Sequence, residues 1–253
     1  MTAIRETFEE AGLLLAKGRL NPTSEQPSLQ ALDRDALNRA RQSILLGQTI
    51  FSKFLHDAGL TPAVDDLLPF TEWVTPAQVP RYGLHLVVSD ISAEERNCRR
   101  FHARFYVTFL QDTSVSGFFH GAKQDFIPTP DGGQEVISAQ FIHPSEALRA
   151  HRAKEMAFMP PQHYLISALA GILSGGQNSE AQRTRVRQLS EGAFGRMVIH
   201  VRQLKLGDGR LLLAYGGDEL VDGPPGARHR STVKPGPGGV SSIIGWRRLL
   251  TRE

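Results

Sequence analysis

Arg5-Glu6-Thr7-Phe8-Glu9-Glu10-Ala11-Gly12-Leu13, close to the start of the chain, is the stretch on which the fold reading turns. Ile4, Phe8 and Ala11 recur at helical spacing and share one apolar face. Glu6, Glu9 and Glu10 stand at i, i+3 and i+4 on another. The pattern predicts a short helix. Gly12 suits the left-handed position that closes a helix, and Leu13-Leu14-Leu15 are expected to leave as a buried strand.

Outward from this helix, Asn21 to Leu29 is rich in Pro, Ser and Asn and reads as a loop. Asp33 is a candidate N-cap for a second helical region, whose apolar stripe runs through Leu37, Ile44, Phe51 and Leu55 to a stop at Gly59. Gly47 is expected to divide it in two. Thr61 to Pro80 reads as loop, with Trp73 and Pro76 as packing points. Strands are expected over Arg104 to Leu110 and Glu135 to Phe141, the latter after a turn at Asp131-Gly132-Gly133. Helices are expected from Pro144 through Leu148, from Pro161 to Leu173 and, with a basic face, from Ser179 to Leu189. A strand follows at Arg210 to Tyr215, and the Gly- and Pro-rich Gly223 to Gly239 reads as loop.

Three carboxylates on one helical turn repel one another, so the arrangement calls for a compensating cation. A hard divalent ion fits. Magnesium takes oxygen ligands and retains waters and substrate phosphates, which suits a few carboxylates presented together better than a closed cage. Arg5, four residues before Glu9, can orient that carboxylate without occupying a ligand position. The plainer alternative is a solvated acidic helix face.

The pattern Arg-Glu-x-x-Glu-Glu-x-Gly-aliphatic at Arg5, Glu6, Glu9, Glu10, Gly12 and Leu13 resembles the second half of the Nudix box. A chance match in a chain of this length is on the order of 10⁻⁵ to 10⁻⁴ at average residue frequencies. Leu67 to Pro76, Arg100-Phe101-His102-Ala103-Arg104-Phe105-Tyr106, Asp131-Gly132-Gly133, Phe141 to Leu148 and Met159-Pro160-Pro161-Gln162 continue the likeness in order. Together they resemble the acyl-coenzyme A diphosphatase branch of the Nudix hydrolases, over most of residues 2–173.

The resemblance implies hydrolysis by water of a nucleoside diphosphate linked to another moiety, foremost coenzyme A or acyl-coenzyme A, with Mg2+ or Mn2+. It makes Glu9 and Glu10 metal ligands, Glu6 a ligand or general base and Arg5 their orienting partner, with Glu135 a candidate additional acid. The implied fold is α/β (α+β), a Nudix-type α/β/α sandwich around a mixed sheet, with a helical insertion at about 27–68. Residues 1–173 would form a partial Nudix domain. Residues 174–253 would be a C-terminal extension with one basic helix, a strand and the Gly/Pro-rich segment.

The first half of the box has no room ahead of Arg5, so the chain is expected to be a Nudix domain truncated at its N-terminus and missing strands there. The rival expectation is a catalytically impaired remnant acting as a binding or regulatory protein. Joining Pro80 directly to Arg99 would restore the branch's spacing between the Trp-x-Thr-Pro and Arg-Phe motifs, which marks Arg81 to Cys98 as a candidate translated intron or late insertion.

Composition bounds these readings. A chain of 253 residues, 40% hydrophobic and 22% charged, is that of a globular protein rather than a fibrous or disordered one. A single cysteine, Cys98, rules out a disulfide framework and a Cys-rich zinc site. The net charge of +3 argues weakly for any polyanion, and Arg183, Arg185 and Arg187 alternate rather than share a helical face, so nucleic acid is not an expected partner. The nine histidines form no ligand pattern, and neither a Gly-x-Ser-x-Gly elbow nor a Walker-type loop is present. No apolar run reaches the roughly 18 residues of a membrane span. No targeting signal is visible. A cytoplasmic or, by resemblance alone, a peroxisomal or mitochondrial location is expected.

Overall fold

A computed structural model of the chain describes residues 1–18, 34–75, 101–110, 140–175, 179–236 and 239–247. Among them helices and strands are mixed, in agreement with the expected class. None of the described helices is long and apolar enough to cross a membrane. The chain forms two compact units, Met1–Leu67 with Thr108–Phe141 and Leu68–Val107 with Ile142–Glu253. The division expected after residue 173 follows the extent of the resemblance, which is a separate criterion.

In the first unit, α1 (Thr2–Ala11) is held by Ile4 and Phe8, both fully buried. Phe8 stacks on Phe54 with ring centroids 5.6 Å apart and lies tilted against Phe51 at 5.9 Å. Gly12 ends the helix at φ 69°, its N–H donating to the Phe8 carbonyl at 3.0 Å, as the sequence indicates. The strand expected over residues 13–15 begins instead at Ala16. Leu14 and Leu15 are buried, but β1 (Ala16–Gly18) extends only as far as its antiparallel partner β2 (Leu60–Pro62). The stripe through Leu37 and Leu55 does break at Gly47, where φ is 68°, into α2 (Arg34–Leu45) and α3 (Phe51–Asp57), and Gly59 stops it at φ 66°. The 27–68 segment is therefore not helical throughout, since β2 and a 3₁₀ turn at Val64–Asp66 follow the two helices.

In the second unit, the stretch expected to be loop contains the central strand β3 (Leu68–Val74). It pairs antiparallel with β4 (His102–Val107) and parallel with β5 (Val198–His200), giving a mixed sheet. A bulge between Pro69 and Glu72 puts Phe70 and Thr71 in the interior in succession, with Thr71 at φ 79°. That breaks the period-2 alternation by which a strand is recognised. Trp73 is a packing point, as expected; its indole N–H donates to Thr71 Oγ1 at 3.0 Å, and Tyr164 and Tyr215 meet it edge-on.

Three helices, α4 (Pro144–Arg152), α5 (Pro160–Ile172) and α6 (Glu180–Glu191), lie where the sequence places them. The last starts with a reciprocal cap between Ser179 and Gln182. Instead of one strand and a loop, the C-terminal region adds the antiparallel meander β6 (Arg202–Lys205), β7 (Leu211–Ala214), β8 (Arg230–Gly236) and β9 (Gly239–Arg247). The 223–239 segment thus includes the whole of β8, with Pro235 and Gly236 at its end.

Expectations at Asn21 to Leu29, Asp33, Pro76, Arg81 to Cys98 and Asp131-Gly132-Gly133 lie outside the described residues. So does nearly all of the 135–141 strand; its last two residues, Gln140 and Phe141, are irregular.

One histidine of this unit makes stability depend on pH. Burial, with the nearby charges of His151 and Arg152, lowers the His163 pKa from 6.5 to about 4. Because the folded value lies below the unfolded one, the full contribution to stability is present above about pH 6.5 and declines as pH falls toward 4. His163→Gln should flatten the fall in Tm between pH 7 and pH 4.5 in thermal unfolding; an unchanged slope would place the sensitivity elsewhere.

Candidate functional site

With Ile4 and Phe8 turned inward, the helical period carries Glu6, Glu9 and Glu10 to positions where each is partly exposed. Arg5 spans the first two carboxylates. Its guanidinium contacts Glu6 and reaches Glu9 Oε1 from Nη1 at 3.4 Å, the i,i+4 contact that the spacing anticipates. The Glu9 side chain is the more enclosed of the two, 15% exposed against 40% for Glu6.

The end of α1 is gripped by a residue the sequence reading passed over. Arg41 of α2 is 3% exposed; its Nε donates to the Glu9 carbonyl at 2.9 Å and its Nη2 to the Glu10 carbonyl at 2.7 Å. A sequence signal exists. Arg41 falls four residues after Leu37 and three before Ile44, so a permanent charge interrupts an otherwise apolar stripe.

Among the described residues, no three His, Cys, Asp or Glu side chains are gathered closely enough to hold an ion. The three glutamates share a helix turn, while the charge that offsets Glu6 and Glu9 is Arg5's. The donor chemistry nevertheless suits magnesium or manganese, being made only of hard carboxylate oxygens. Glu135 lies outside the described residues.

The second unit holds a different charged group, within the Arg100 to Tyr106 motif. Glu72 of β3 accepts from His102 Nε2 at 2.6 Å and pairs with Arg104 across the β3–β4 ladder. Burial alone would raise the Glu72 pKa; the hydrogen bonds from His102 and Arg104 bring it below its ordinary value.

Comparison with known proteins gives these residues a context. Acyl-coenzyme A diphosphatase NUDT19 of Gallus gallus is 28% identical over 178 residues, which cover 68% of this chain and 40% of that protein. The Homo sapiens protein of the same name is 26% identical over 174 residues, covering 68% of this chain and 39% of its own length. Putative nudix hydrolase 7 of Caenorhabditis elegans is 24% identical over 172 residues, again covering 68% of this chain and 44% of that protein. The chain thus spans about two fifths of the length of the relatives it matches. No solved structure matches it. The family model described as the NUDT19 Nudix domain matches residues 1–169, most of the chain and all of α1 through α4, and on that extent the chain belongs to the NUDT19 Nudix family.

Proposed function

We propose that this chain carries the ion-binding helix of a Nudix hydrolase that splits a diphosphate, with coenzyme A or an acyl-coenzyme A as the substrate class. The observation that carries the reading is the Arg5-Glu6-x-x-Glu9-Glu10 face of α1, locked in register by Ile4 and Phe8 and closed by Gly12. The names of the relatives supply the substrate class.

In the reaction, the oxygen of water bonds to one phosphorus of a P–O–P linkage while the bridging oxygen leaves with the other. Two phosphate monoesters result. Glu9 and Glu10 would hold Mg2+ or Mn2+, and Glu6 would either join them or accept the proton from the attacking water. Arg5, spanning Glu6 and Glu9, keeps those carboxylates oriented. A bound divalent ion supplies neutralisation of phosphate oxygens and acidifies water. A positioned carboxylate acting as base contributes about 10²- to 10⁴-fold.

The test is incubation of the purified chain with coenzyme A and millimolar Mg2+ or Mn2+, with the products separated by chromatography. Two phosphomonoesters that form only with the ion are expected. In parallel, the ion should stabilise the fold by about 1.4 kcal/mol at ten times its Kd. A folded chain that shows neither product nor ion-dependent stabilisation would sink the proposal.

A further inference from the structure

We propose that Arg41 is a positioning residue for the carboxylates of α1. Its buried guanidinium fixes the backbone at Glu9 and Glu10 and thereby the directions in which their side chains leave the helix. The inference rests on the reading of α1 as the ion-binding helix.

The last four carbonyls of a helix have no partner within it. In α1 the Phe8 carbonyl is taken by the Gly12 N–H, and the next two, of Glu9 and Glu10, are taken by Arg41. Those two carbonyls belong to the peptide planes on either side of the Glu10 Cα. One planar fork holding both sets the rotation between them, and with it the Cα–Cβ direction of Glu10. A lysine at the same place is a point donor and cannot fix two planes at once.

Helix closure alone does not account for the arrangement. Gly12 already closes α1, and the position on α2 lies among apolar residues, Leu37 and Ile44, that pack the core. Burying a guanidinium there is costly, and replacing buried charges by apolar side chains of similar volume is often neutral or stabilising. What the arginine adds is a fixed geometry at the two residues whose carboxylates form the ion site. Its positive charge also lies at the end of α1 where the helix dipole favours a cation.

The experiment compares Arg41→Lys with Ile44→Ala in the full chain, reading Mn2+ affinity by electron paramagnetic resonance and stability by Tm. Ile44→Ala loosens the same helix in the same core without touching the carbonyls of α1. Arg41→Lys should weaken Mn2+ binding by about 10-fold or more, the scale for outer-sphere partners of metal ligands. Ile44→Ala should keep wild-type affinity even where its Tm falls as far. Affinity within about twofold of wild type in Arg41→Lys, or an equal loss in Ile44→Ala, would overturn the proposal.

Should Arg41→Lys fail to fold, hydrogen exchange on the wild-type chain decides the matter. Mn2+ should slow exchange of the α2 amides over residues 34–45, because coupling between the ion and the Arg41 anchor is reciprocal. Unchanged exchange would overturn the proposal. A wild-type chain that binds no Mn2+ removes the ion-site reading together with the inference, whereas wild-type binding that survives in Arg41→Lys removes the inference alone.

Discussion

Glu9→Gln and Glu10→Gln should each reduce ion-dependent hydrolysis of coenzyme A by at least about 100-fold, above the range for residues that only support metal ligands. Glutamine keeps the length and shape of glutamate but removes its charge. The partly exposed side chains should therefore change folding stability by no more than about 0.5 kcal/mol. Glu9→Gln also tests the role of Arg5, since the amide oxygen can still accept from Nη1 while the charge pairing is lost. The apparent Mn2+ requirement, read from initial rates at rising Mn2+, should move to higher concentration in both variants. Glu6→Gln separates two roles for that residue. A lost ligand moves the Mn2+ requirement, while a lost base lowers the rate at saturating Mn2+. Rates within threefold of wild type in both Glu9→Gln and Glu10→Gln would remove them from the site.

The first helix was legible because several signals agree over a short span. Period-3.6 apolar residues, a stop glycine and grouped carboxylates all point to Thr2–Ala11, and Ile4, Phe8 and Gly12 take the expected places. Gly47 and Gly59 were legible for a related reason, both being needed at positive φ where helices end. The strand β3 was not. Its bulge places Phe70 and Thr71 successively inside, and a sequence pattern cannot show which residue of a strand is the extra one.

The C-terminal meander was hidden by composition. Pro235 and Gly236 are strand residues at the end of β8, where Gly236 pairs with Gly239 of β9, so residues that signal loop also occupy a strand terminus. Arg41 escaped because an arginine on a helix reads as surface by default. Only the location of the Glu9 and Glu10 carbonyls, which periodicity does not encode, gives it a partner. Local spacing therefore grouped the glutamates on one helix, while the side chain that holds the Glu9 and Glu10 backbone comes from a helix about thirty residues later.

Asp218→Ala should cost about 3–5 kcal/mol of stability in the second unit, the range for removing one partner of a buried ion pair. Asp218 lies in the connection from β7 to β8 and is fully buried. Its Oδ2 accepts from Arg230 Nε at 2.6 Å and from the His229 N–H at 2.7 Å, and its Oδ1 accepts from Arg230 Nη2 at 2.7 Å and from the Leu220 N–H at 2.8 Å. One carboxylate thus ties two points of the connection to the first residue of β8. The adjoining His229 ring continues the network inward. Its Nδ1 faces the Gly216 carbonyl at 2.6 Å and so carries the proton, leaving Nε2 to accept from the Tyr164 hydroxyl at 2.9 Å. Alanine would strand two backbone donors and leave the Arg230 guanidinium only its Glu219 pairing, whereas Asp218→Asn keeps the shape but supplies only one accepting oxygen and no charge.

The same carboxylate sets an acid limit. Burial alone would raise its pKa, yet the Arg230 guanidinium and the N–H groups of Leu220 and His229 hold it below the ordinary aspartate value. With the folded value depressed, the stabilisation is complete above about pH 4 and is lost as pH falls through the folded pKa. Chemical denaturation between pH 2.5 and 6 should therefore show wild type losing stability at the acid end relative to Asp218→Asn, the gap between them narrowing below about pH 4. A gap that stays constant down to pH 2.5 would mean that the aspartate contributes through its shape rather than its charge, and the Arg230 pairing would not be what secures β8.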